Sequence, residues 1–100
     1  MENFRTFNSA VEFYHLAQAL PFKRHLKDQL DRASLSIALN LAEGRARRTL
    51  KEQLRFFNIA FASLREVQAL LIIQGLKGSA AWQLLDSVAA QLYRLIENAS

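Results

Sequence analysis

The chain has 100 residues and a net charge of +4, and the whole excess lies within residues 45–55, where Arg45, Arg47, Arg48, Lys51 and Arg55 meet one acid, Glu52. Elsewhere eight basic residues balance eight acidic ones. No cysteine is present, which excludes disulfides, a thiolate nucleophile and a cysteine metal site and removes any need for an oxidising compartment.

This length predicts a single domain, 1–100. A hydrophobic fraction of 51% with one proline exceeds what a small solvated domain needs, and predicts apolar surface buried between subunits. The amino terminus lacks the apolar core of a secretory signal, and no unbroken run of about 18 apolar residues is found. The expectation is a cytoplasmic protein that does not enter a membrane.

Breaks at Pro21, at residues 44–49 and at residues 75–79 separate four intervals of helical periodicity. The first helix is expected over residues 9–20, opened by a capping box of Ser9 with Glu12 and stopped by Pro21. The second is expected over residues 22–43, closed by Gly44 in a left-handed conformation. A second capping box, Thr49 with Glu52, opens the third, which runs to about residue 74 and is the longest. The fourth covers residues 79–98, with Ala81, Leu85, Val88, Leu92 and Leu95 on one stripe. No sustained period-two run marks a strand. Short connections make neighbours antiparallel, so the predicted fold is all-α, an up-down four-helix bundle.

The second and third helices are apolar on more than one face. Leu26, Leu30, Ala33, Ile37 and Leu41 form one stripe of the second, while Leu35, Ala38, Leu39 and Ala42 lie largely opposite. The third repeats the pattern, with Leu50, Leu54, Phe57, Phe61 and Leu64 on one row and Phe56, Ala60, Val67 and Leu70 beside it. A helix apolar nearly all round needs cover nearly all round, which predicts a homo-oligomer.

The segment Leu26, Gln29, Leu30, Arg32, Ala33, Ser36, Ile37, Asn40, Leu41, Ala42, Glu43 and Gly44 closely resembles the signature of small four-helix-bundle proteins first named from intervening sequences in 23S ribosomal RNA genes. The match continues through Arg47, Arg48, Lys51, Glu52, Arg55, Phe56, Ile59, Ala60, Ser63, Leu64 and Glu66. That family includes the accessory variability determinant of diversity-generating retroelements. The resemblance implies a bundle assembled as a barrel-like homopentamer with a basic surface and no catalytic activity. In the retroelement branch it further implies a reverse transcriptase and nucleic acid as partners. Two departures stand out: Ala62 replaces a usual glycine before Ser63, and the first helix is short and poor in the family's aromatic pattern.

Arg32, Ser36, Asn40, Glu43 and Arg47 recur at spacings of three and four, a polar ribbon on an otherwise apolar helix. A hydrogen-bond network fixing register is the expected role of Arg32, Ser36, Asn40 and Glu43, with Glu43 paired to an arginine such as Arg47. No second carboxylate or histidine shares the ribbon to support acid–base catalysis. His15 and His25 lack any metal-ligand spacing, and neither a glycine-flanked nucleophile nor a glycine-rich phosphate loop occurs. The sequence therefore predicts no enzyme, no cofactor and no small-molecule substrate.

Arg45, Arg47, Arg48, Lys51 and Arg55 straddle a helix start, where backbone N–H groups and the helix dipole also favour anions. RNA or DNA phosphates fit such a cluster, which positions a backbone without reading its bases. Intersubunit salt bridges, or docking on an acidic protein surface, are the competing use. Phe56, Phe57 and Phe61 have core spacing, and Tyr14, Trp82 and Tyr93 are expected to pack at a bundle edge or interface.

Overall fold

A computed structural model describes residues 4–100; the extreme amino terminus, read above as part of a segment without a signal core, lies outside the described residues for positions 1–3. Four helices follow one another: α1 (Arg5–Gln18), α2 (Arg24–Ala46), α3 (Leu50–Ile73) and α4 (Ala80–Ala99). Each packs on its sequence neighbour, α1 closes on α4, and neither diagonal pair meets. Side-chain pairings give the directions. Lys23 of the α1–α2 connection meets Gln74, Ser36 meets Ser63, and Gly44 meets Phe57, so α2 and α3 run antiparallel. The described residues form a square bundle of 40 × 23 × 22 Å.

Helix α1 starts earlier than the capping box implies. Phe4 precedes it and no side chain caps it; Ser9 sits inside the helix, where its Oγ accepts from Gln91 Nε2 of α4 at 3.5 Å. Burial of Phe4 in the core sets the start, because one buried phenyl ring outweighs a hydroxyl cap worth about 1 kcal/mol. At the other end Lys27 Nζ donates to the carbonyl of Gln18 at 2.7 Å and approaches that of Ala17 at 3.4 Å, so a cation from α2 completes the last turn.

Helix α2 does not end at Gly44. It runs to Ala46, and Gly44 has ordinary helical backbone, since among the described residues only Gly75 and Gly78 have positive φ. The glycine is required by space instead: a Cβ there would stand 2.7 Å from Phe57 Cε1 and 3.2 Å from Phe56 Cβ. The chain turns out of the helix at Arg47, whose backbone is extended.

Thr49 caps α3 as expected, and Ser79, expected only as the first residue of the fourth helix, caps α4. Thr49 Oγ1 accepts from the Glu52 N–H at 3.1 Å, and Ser79 Oγ from the Trp82 N–H at 3.2 Å. Gly75, at φ 73°, closes α3: its N–H donates to the Ile72 carbonyl while the Leu76 N–H reaches back to that of Leu71. This paired closure uses the left-handed conformation that glycine adopts without strain.

The core is built from Phe13, Leu30, Ile37, Leu41, Leu64, Val67, Leu71, Leu85, Val88 and Leu92, all fully enclosed. One stripe of each helix supplies it. Much of the rest stays outside: Leu35 and Leu39, one turn apart on α2, are 41% and 58% exposed, and Ile59, Ile72 and Ile73 of α3 are exposed as well. By length and composition alone α3 meets the requirement for a membrane span, with an 18-residue window of mean hydropathy 1.5, although it contains no unbroken apolar run of that length. Here α3 is a central bundle helix, packed through Phe57, Ala60, Leu64, Val67, Leu70 and Leu71.

Candidate functional site

The five expected cations gather around the short turn from α2 to α3, and the structure divides them. Arg45, in the last turn of α2, places its guanidinium carbon 4.5 Å from the centroid of the Phe4 ring. It thereby faces the end of α4, where it shares a small cavity of about 150 Å³ with Leu50, Leu95 and Ala99. Arg47 and Arg55 go elsewhere: both guanidinium groups stand over Phe56, at 5.0 and 4.9 Å. Cation–π attraction at such partly exposed positions contributes about 0.5–1 kcal/mol each. The two arginines thus share one half-buried ring.

Acids neutralise part of this group. Glu43 pairs with Arg47 one turn later, and Glu52 lies 3.9 Å from Arg55 with both side chains largely in solvent. Exposed pairs of this kind contribute about 0–1 kcal/mol and are screened by salt. Arg48 and Lys51 have no ion-pair partner among the described residues and are exposed. They flank the amino terminus of α3, beside an open depression lined by Ala46, Arg47, Arg48, Thr49 and Glu52. Gln53 braces the turn by donating from Nε2 to the Arg47 carbonyl at 2.9 Å. Bare cations on a braced turn at a helix start are suited to oxyanions.

The polar ribbon on α2 separates in the same way. Ser36 Oγ meets Ser63 Oγ of α3 at 2.8 Å, and Asn40 Nδ2 donates to the Ser36 carbonyl at 2.9 Å and its Oγ at 3.1 Å. Glu43 turns to Arg47 rather than to this group. Arg32 is exposed and stands apart from it. Ser63 is the partner that reading α2 alone does not supply, because a ribbon on one helix does not name the residue across from it.

Phe56 also has a function that periodicity does not reveal. Its spacing reads as core, yet it is the platform for Arg47 and Arg55. Tyr14 and Trp82 are partly buried, whereas Tyr93 is 55% exposed. Ala62, where the resemblance leads one to expect glycine, is exposed on the outside of α3, so its methyl group meets no close helix packing within the subunit. Among the described residues, no three His, Asp or Glu side chains converge as a metal site would require.

Four helices in a square, with a cation-bearing turn between the two central ones, define a small helical-bundle protein with a basic end. The family model for the 23S rRNA-intervening sequence protein matches residues 4–98, and the chain belongs to that family. No curated protein matches it.

Proposed function

We propose that this protein is a non-enzymatic homo-oligomeric scaffold that binds RNA or DNA through basic clusters repeated once per subunit. The observation that carries the reading is that Arg48 and Lys51 have no ion-pair partner among the described residues, beside Arg47 and Arg55, which are fixed on Phe56. Phosphates displacing solvent from such a surface release counterions, so sequence-independent binding follows from charge alone.

Assembly is supported by Leu35, Leu39 and Ile59, whose side chains remain in water on a single subunit, and by α3, where only a third of the most apolar window is enclosed. Resemblance to the family points to a barrel-like homopentamer, the absence of cysteine to the cytoplasm, and membership of the retroelement branch would add an accessory role beside a reverse transcriptase. Five subunits would bring about +20 of charge together, turning weak contacts into strong, length-dependent binding.

A protein-binding homo-oligomer without a direct nucleic-acid role is the second reading, favoured by the engagement of Arg47 and Arg55 with Glu43 and Glu52. Labelled RNA and DNA of increasing length, titrated at low salt, separate the two. The nucleic-acid reading expects affinity to rise with length, and absence of binding to either polymer refutes it.

A further inference from the structure

The outer side of the α3–α4 pair carries a shallow groove of about 470 Å³, lined by Phe61, Arg65 and Gln68 from α3 and by Asp86, Tyr93 and Arg94 from α4, over a floor of small alanines. Tyr93 is the one aromatic among the exposed large apolar side chains described. Arg65 lies over the Phe61 ring at 5.1 Å while its Nη1 donates to Gln68 Oε1 at 3.3 Å, so its guanidinium is held along the groove. Arg94 Nε approaches the Ala90 carbonyl at 3.5 Å. Neither arginine has an ion pair among the described residues.

The groove carries an arginine in each half. Arg94 and Tyr93 belong to the last turns of α4, the end that shares a cavity with Arg45 and Leu50, whereas Asp86 lies about 11 Å farther along, two helical turns away. Tyr93 and Arg94 therefore lie toward the basic turn, whereas Arg65, past the midpoint of α3, lies with Asp86 in the half away from it. A rim of arginine, glutamine and aspartate suits a polar chain better than an apolar helix, and an exposed phenol ring offers a stacking face common to every base.

Resting on the nucleic-acid reading above, we infer that this groove takes a single-stranded segment of RNA or DNA, with a base stacked on Tyr93, one phosphate at Arg94 and another, farther along the same strand, at Arg65. The basic turn grips phosphates in either single or double strands; the groove adds the preference for an unpaired one. Duplex bases are already stacked on each other and offer no face to Tyr93.

The test compares a fluorescein-labelled single strand of twelve nucleotides with a duplex of the same length. Wild-type protein is titrated beside Tyr93→Ala, Tyr93→Phe, the double variant Arg65→Gln with Arg94→Gln, and the double variant Arg48→Gln with Lys51→Gln. The groove predicts tighter binding of the single strand, loss of about tenfold of that affinity in Tyr93→Ala, retention in Tyr93→Phe, and unchanged duplex binding in both. A 5-bromouracil strand should crosslink to Tyr93. Single-strand affinity unchanged in Tyr93→Ala and in the Arg65/Arg94 variant, with loss only in the Arg48/Lys51 variant, overturns the groove and leaves the basic turn standing. Dissociation of an assembly by Tyr93→Ala, seen by light scattering, also overturns it, because the groove would then be a subunit contact. Wild-type protein that binds neither probe removes both readings together.

Discussion

Gly44 and Phe57 approach so closely that a methyl group on the glycine would lie 2.7 Å from the phenyl ring. This contact sits at the junction where α2 must come against α3 before the chain turns into the basic loop. Gly44→Ala removes the conformational cost of a mid-helix glycine, worth about 0.5–1 kcal/mol, but overpacks a site where such additions cost about 1–3 kcal/mol. A net loss of about 1 kcal/mol is expected in urea unfolding. The loss should shrink when Phe57→Leu is present, since the colliding ring is then gone.

The misreading of Gly44 shows which part of the fold is legible in the sequence. A glycine after an apolar stripe looks the same whether it supplies a left-handed turn or a close approach, because the neighbour that decides lies on another helix. Thr49 is readable as a cap since a cap needs only the next three residues. Ser9 with Glu12 presents an equally good local signal, yet Phe4, six residues before the core residue Ala10, is buried and draws the helix back to Arg5. At the site, the density of charge was legible; the stacking of Arg47 and Arg55 on Phe56 and the exposure of Tyr93 were not, as both depend on packing between helices.

Ser36 and Ser63 join α2 to α3 by their hydroxyls, with Asn40 as a third member. Replacing either serine by alanine should cost about 1 kcal/mol, the net worth of an ordinary hydrogen bond. The double variant should cost less than the sum of the two, and that coupling is readable from a double-mutant cycle of unfolding free energies.

Ser34 is fully buried and its Oγ has no hydrogen-bond partner among the described residues. Ser34→Ala removes a desolvated hydroxyl and leaves almost the same shape, so thermal unfolding should show stability equal to or up to about 1 kcal/mol above the wild type. A marked loss would mean that the hydroxyl has a partner in solution.

Lys27 completes the carboxyl end of α1 through the Gln18 and Ala17 carbonyls and also faces Asp31 at 3.6 Å. Lys27→Met keeps the aliphatic stem and removes the donor. About 1 kcal/mol of stability should be lost, with faster amide exchange concentrated in the last turn of α1 rather than spread through the bundle.

Leu35 and Leu39 lie outside the core of one subunit. Glutamate at both positions should leave helix content intact by circular dichroism and yield monomers by light scattering, if this face is where subunits meet. Unaltered mass in the double variant would move the contact to another face.

The central claim is that the turn between α2 and α3 binds phosphates. Its most direct test is the dependence of nucleic-acid affinity on salt, measured for the wild type and for Arg48→Gln with Lys51→Gln. The wild type should lose affinity linearly in log–log form, and removal of two phosphate contacts per bound site should flatten the slope by about 2 while assembly mass stays constant. An unchanged slope in the double variant would contradict the claim.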